Sequence, residues 1–298
     1  MAPPPLTIPP EVRSRLKRLS LRTRRDMGDR GFGMHQSRNK GAGIEFAQYR
    51  AYEPGDEPRR IDWKLFARSD KFFVREAEEE SPIAVWILLD ASASMRQTDR
   101  ARPGWSRMDA ARLLALCTAQ LALMQGDRFG WIGLRDGGLV VADPHRGRAQ
   151  FERMQIALSR LEAAGSFPDA ATLAPLWERI GARDLVLFLS DCFDERGIAM
   201  IERLAKAGRE VLAVQMLTVE ERDFHFDGGY RFIDPESGAD LIGDGAALRD
   251  TFLYRFAAAR AMLAERLDAA GIRHTAHVLD EPIDRPLHAF FGRGALPA

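Results

Sequence analysis

Asp90, Ser92 and Ser94 stand at alternate positions, and a second acid, Asp191, follows Ser190 later in the chain. Carboxylates and hydroxyls are hard oxygen ligands, a set that suits Mg²⁺ or Mn²⁺ rather than zinc or copper. In an extended segment, residues at i, i+2 and i+4 point the same way. The first three side chains can therefore converge on one ion if the chain curls after the strand that carries them. The plainer alternative is that they only turn the chain and cap the next helix, a common use of Asp and Ser.

The elements that must position these groups are legible around them. Residues 83–90 are short, apolar and rich in β-branched side chains, bounded by Pro82 and a polar cluster. That pattern predicts a central strand of a parallel sheet. Residues 185–189 repeat it and end in Ser190-Asp191. An open α/β sheet places its ligand site at the carboxyl ends of such strands. If the two strands are neighbours, both acids meet the two serines at one edge, and a cation between them removes their mutual repulsion.

A helix is predicted over 106–125, opened by the capping-box pair Ser106 and Asp109 and stopped by Gly126. Strands follow over 129–134 and 138–142, then helices over 148–164 and 172–180. A helix over 197–207, a strand over 211–217, a helix over 246–270, a strand over 272–279 and a tail helix near 287–291 complete the pattern. This alternation predicts an α/β fold, a mostly parallel central sheet with helices on both faces. Within an insertion over 218–245, the stretch RFIDPESGADLIGD predicts a small β-hairpin. Ahead of this domain, 83–292, residues 1–21 read as a mobile, Pro-rich and basic N-terminal segment. It holds a short helix with Val12, Leu16 and Leu19 on one side. Residues 22–82 show few helix signals, a turn at Pro54-Gly55-Asp56 and a strand near 71–76.

Composition narrows the function. Lys+Arg and Asp+Glu balance at 43 each, so no global field draws nucleic acid or membrane. The basic run over 11–40 lacks interleaved stacking aromatics, so no nucleic-acid partner is expected. No Gly-Lys-Ser/Thr is present to form a P-loop. Two cysteines, Cys117 and Cys192, make no disulfide framework and read as buried thiols of a cytoplasmic protein. No apolar run reaches the length of a membrane span, and no signal peptide is evident. His274 and His277 fall on opposite faces of one strand and are poor joint ligands.

Two motifs carry a resemblance. Asp90-x-Ser92-x-Ser94-Met95, with the later Ser190-Asp191, resembles the metal-ion-dependent adhesion site of von Willebrand factor type A domains. Arg50-x-Tyr52-x-Pro54-Gly55-Asp56, Arg60-Ile61-Asp62-Trp63 and Ala67-Arg68 resemble the hallmark of family 58 of the domains of unknown function, bacterial proteins with such an A-type domain. The resemblance implies a Rossmann-like, von Willebrand A-type fold. It implies a non-enzymatic interaction module that acts with a MoxR-type AAA+ ATPase in maturation or activation of client proteins. It implies Asp90, Ser92, Ser94 and Asp191 as the Mg²⁺ or Mn²⁺ site. Where such sites carry a loop Thr, often as Gly-x-Thr-Asp, this chain has Ala164-Gly165-Ser166-Phe167-Pro168-Asp169, which makes Ser166 or Asp169 the candidate there.

The signature around Trp63 has two readings. Trp63 and Phe66 pack on the sheet while Asp62 pairs with Arg59, Arg60 or Arg68, or those three arginines form a docking surface. A rival function is a phosphohydrolase with Asp90 as nucleophile. Such enzymes need a second Asp two residues on as general acid, and Ser92 stands there instead. A metal-free scaffold is the third option.

Overall fold

A computed structural model describes residues 6–21, 46–52, 61–77, 84–233, 236 and 238–292. The chain divides into two compact units, residues 30–82 and residues 1–29 with 83–298.

In the larger unit the chain begins with α1 (Pro10–Leu16), which has a proline at its start, where a missing N–H is harmless. Residues 6–21 are not the mobile segment expected from their prolines. Ile8, Val12, Leu16, Leu19 and Leu21 are buried in the core. Arg15 also makes a two-pronged pair with Asp284, at 2.6 and 2.7 Å. The apolar spacing outweighs the proline content, because burying five such side chains offsets the entropy of fixing the segment.

The smaller unit holds β1 (Phe46–Ala51), α2 (Trp63–Ser69) and β2 (Phe73–Ala77), with the two strands antiparallel. Sequence periodicity did not reveal α2. It is started by Asp62, whose side chain accepts from the Lys64 and Leu65 N–H groups. Asp70 ends it in the left-handed region, at φ 54°.

The central sheet belongs to the larger unit. Its strands are β3 (Ala84–Asp90), β4 (Arg128–Arg135), β5 (Gly138–His145), β6 (Leu185–Ser190), β7 (Glu210–Leu217) and β10 (Arg273–Val278). They lie in the order β10-β7-β6-β3-β4-β5, and only β5 runs antiparallel. The sheet therefore grows outward in both directions from β3 and β6. Such a reversal leaves a crevice outside their carboxyl ends. Pairing of β3 with β6 runs to Leu89 opposite Leu189, which brings Asp90 level with Ser190.

Alternation along β3 explains why every residue of it is buried. Val85, Ile87 and Leu89 face one core, with α1, α3 (Arg107–Gln125), α4 (Arg148–Arg160) and the later α10 (Arg285–Phe291). Ala84, Trp86 and Leu88 face the other. That second core is closed by α5 (Ala170–Leu173), α6 (Leu176–Arg179), α7 (Glu195–Lys206) and the end of α9 (Gly245–Ala269). The insertion contributes α8 (Val219–Asp223) and the antiparallel hairpin β8 (Gly229–Ile233) and β9 (Asp240–Asp244).

Two predicted helices differ from those observed. The one read over 148–164 stops at Arg160, because Leu161 turns extended and the chain leaves to bond the β3 loop. The one read over 172–180 is two short helices divided at Pro175, which has no N–H to carry a helix through. Cys117 and Cys192 are both free, and burial pushes both thiols up, away from thiolate. No described helix is long and apolar enough to cross a membrane.

On β10, His277 is buried and its Nδ1 has no hydrogen-bond partner. Burial holds its imidazole down, to about 4 from 6.5, with Glu281 opposing. The unfolded chain thus takes up a proton between those values that the folded chain refuses. The neutral His costs no stability above pH 6.5, and stability falls as the pH drops toward 4. At pH 5 the deficit is about 2 kcal/mol. Urea unfolding at pH 7 and pH 5 should show that extra loss in wild type and not in His277→Leu.

Candidate metal centre

The site forms where β3 and β6 end. After Asp90 the chain turns into a short 3-10 segment, Ala93–Arg96, with extended backbone at Ser92. The Asp90 carboxylate accepts from the Ser92 N–H at 2.9 Å and, with its other oxygen, from the Ser190 hydroxyl at 2.6 Å. The Ser92 and Ser94 hydroxyls lie 3.1 Å apart. On the neighbouring strand, Asp191 accepts from the Phe193 N–H at 3.1 Å and from the Ser94 hydroxyl. The structure thus brings together Asp90, Ser92, Ser94 and Asp191.

Their setting is drier than a strand end facing solvent. Asp90, Ser92 and Asp191 are 1 % exposed and Ser94 is 8 % exposed. Burial first, then the Asp191 charge, pushes Asp90 up to about 7, against the bonds from Ser190 and Ser92 that favour its charged form. Burial also raises Asp191, opposed mainly by Arg107.

Arg107 is the group that sequence reasoning missed. It is 3 % exposed and donates to the Ser94 carbonyl at 3.0 Å and to Asp191 at 3.1 Å. Its other terminal nitrogen pairs with Glu221 of α8, and its guanidinium lies over the Phe193 ring. The signal was present: Arg107 opens α3, the end of a helix where the backbone dipole disfavours a cation. A cation in that position needs an acidic partner.

Glu236 lies in the stretch that predicts the β-hairpin. Its carboxylate is hydrogen-bonded to the hydroxyls of both Ser92 and Ser94, and burial with the charges of Asp191 and Asp194 raises it.

The donor set fits a hard divalent ion. Each hydroxyl has one proton. Ser92 and Ser94 thus have two protons to share among Asp90, Asp191, Glu236 and each other. A cation among these oxygens meets the lone pairs left over and relieves the repulsion of the acids. Among the described residues, no three His, Cys, Asp or Glu side chains are set to hold one ion. Serine hydroxyls therefore have to complete any such site.

The remaining candidates lie elsewhere or close by. The 163–167 loop is tied to the site by Ala164 N–H to Ala91 O and Ala93 N–H to Gly165 O, both 2.8 Å, which carries Ser166 beside the Ser92 turn. Asp169 is not gathered in. It is exposed and caps α5 through the Thr172 N–H at 2.8 Å, and Arg196 is the charge it feels. Its carboxylate is committed to that cap. Arg59 and Arg60 lie outside the described residues, as does Pro54-Gly55-Asp56. Arg68 is exposed in the last turn of α2. Trp63 is 58 % exposed rather than packed away, and meets Phe66 and Phe72 edge-on.

A doubly wound, mostly parallel sheet with an acid-and-serine cluster at its switch point defines a Rossmann-like α/β fold. Residues 48–262 match the family described as "Protein of unknown function DUF58", and the chain belongs to that family. It is 27 % identical over 267 residues to the uncharacterized proteins Rv1480 of Mycobacterium tuberculosis and Mb1516 of Mycobacterium bovis, covering 88 % of this chain and 83 % of each. Among solved structures it is similar to an aerotolerance-related membrane protein from Bacteroides fragilis, with 14 % identity, 70 % of this chain, 96 % of that one and TM-score 0.43. It is also similar to the VWA domain of SpRpn10, with 13 % identity, 69 % of this chain, 93 % of that one and TM-score 0.38.

Replacing Arg107 with Leu removes the buried charge that faces both Asp191 and Glu221. Two acids are then left without their partner, which destabilises the fold by about 3–5 kcal/mol. Urea unfolding of Arg107→Leu against wild type at neutral pH measures this.

Proposed function

We propose that this chain is a non-enzymatic protein-interaction module whose metal edge receives an acidic side chain of a partner. The observation that supports this most is the convergence of Asp90, Ser92, Ser94 and Asp191 at one sheet edge, with fewer protons than acceptors. Bound Mg²⁺ or Mn²⁺ would supply Lewis acidity toward an external carboxylate. Asp90 and Asp191 would balance the charge of the ion, directly or through water. Ser92 and Ser94 are neutral, so they leave the ion electrophilic. Ser190 orients Asp90, and Arg107 orients Asp191.

The partner we propose is a MoxR-type AAA+ ATPase, with the pair acting in the cytoplasm on maturation or activation of client proteins. That follows from the family resemblance. Arg59, Arg60 and Arg68 are further partner-binding candidates on the docking reading of the signature segment, and Arg68 is exposed. The phosphohydrolase reading is not favoured, since Ser92 cannot donate a proton to a leaving group as an Asp does. An aryl phosphate with Mg²⁺ should therefore not be turned over.

Calorimetric titration with Mn²⁺ should show binding to wild type and none to Asp90→Ala or Asp191→Ala. Equal binding by all three proteins places the ion elsewhere. Pull-down of the ATPase should weaken with chelator and in Ser92→Ala or Ser94→Ala. Capture indifferent to both would move the interface off this edge.

A further inference from the structure

A surface that receives a partner has to be reached, yet the hydroxyls of this edge are almost fully buried. The side chain lying against both of them is Glu236, itself exposed to solvent. It sits in the connection of the β8–β9 hairpin, beyond the last pair of the ladder, Ile233 opposite Asp240.

The hairpin is aimed at the edge by contacts at its base. Gly245 N–H bonds the Gly228 carbonyl at 2.8 Å, and a Cβ at Gly245 would meet the Phe226 carbonyl oxygen at 2.5 Å. Phe226 packs edge-on to Tyr230 and Phe232, while Phe224 stacks on Phe252 of α9 with centroids 4.3 Å apart. Arg100, from the same loop as the two serines, lies 5.0 and 5.2 Å from the Phe226 and Tyr230 ring centres. The loop that carries the hydroxyls and the hairpin that carries Glu236 are thus clasped together.

Charge makes this placement informative. Glu236 feels repulsion from Asp191 and Asp194. The nearby Arg196 is committed to Asp194, at 2.5 Å. The Ser92 and Ser94 hydroxyls hold this third carboxylate against the acids, and positive charge among them would remove the repulsion that remains.

We propose that Glu236 is the edge's own carboxylate ligand, which occupies from within the chain the place that a partner's acidic side chain takes, so that the partner binds by displacing it. This rests on the reading of the edge as a cation site. An in-chain ligand competes at an effective concentration on the order of millimolar. A lone acidic residue in a partner does not outcompete it. A partner that also contacts the hairpin does. The apparent affinity of the edge is lowered by the fraction of time it is covered.

The test uses the full chain, Mn²⁺ as probe, and Glu236→Gln, which keeps the size and removes the charge. Three quantities are read: Mn²⁺ affinity by calorimetry, water-proton relaxation per bound Mn²⁺, and amide hydrogen exchange over 229–233 and 240–244. The expected result is about tenfold weaker Mn²⁺ binding in Glu236→Gln, the lower end for loss of a group supporting a metal site. Relaxation per bound ion should rise as water fills the vacated place. Mn²⁺ should slow hairpin exchange in wild type and not in the variant. If Asp90→Ala abolishes binding while Glu236→Gln leaves all three quantities unchanged, the cation site stands and Glu236 is not its ligand. If wild type binds no Mn²⁺, the cation reading falls and this assignment falls with it.

Discussion

Parallel pairing of β3 with β6 is the constraint on which the rest depends. Both strands are apolar on both faces, so neither can stand at a solvated edge, and each buries best against the other at the middle of the sheet. Their chain directions then force the two terminal acids, Asp90 and Asp191, to the same side. The fold does not choose to bring like charges together in a dry place. It does so as the result of packing, and the local chemistry has to make that tolerable.

Three devices share that task. Ser190 and the Ser92 N–H bond the Asp90 carboxylate, while Arg107 and the Phe193 N–H bond Asp191. Arg107 is a fixed cation that donates to Asp191, and Glu221 divides its charge further. In the cation site proposed above, the third device would be a mobile ion on the Asp90 side, where the serine oxygens are. On that proposal one corner would hold both a buried arginine and a hard-oxygen ligand set.

The elements that position the site were legible because burial on both faces writes an unbroken apolar run, and because Ser106 with Asp109 forms the capping box that starts α3. The hairpin could be read from its turn residues. Arg107 was not legible as a partner of Asp191, since 84 positions separate them and only the fold joins them. Glu236 was hidden for a related reason: in a turn, an acidic residue is ordinary, and only the fold joins it to Ser92. Residues 6–21 carried contrary signals, prolines against an apolar stripe, and burial decided in favour of the stripe. Asp169 shows the opposite failure, where a motif position suggested a role that a local helix cap had already taken.

The contact between Arg107 and Glu221 has a consequence for how separable the parts of this domain are. Inserted segments at loops are commonly treated as exchangeable decorations on a scaffold. Here α8 and the central sheet hold opposite ends of one guanidinium, and Asp99 accepts from the Val219 N–H at the same boundary. A chimera that swaps in a different segment after β7 alters the charge balance of the sheet edge even if every strand survives. The insertion and the acid pair therefore have to change together, and a graft succeeds only when the incoming segment brings its own acid to that arginine.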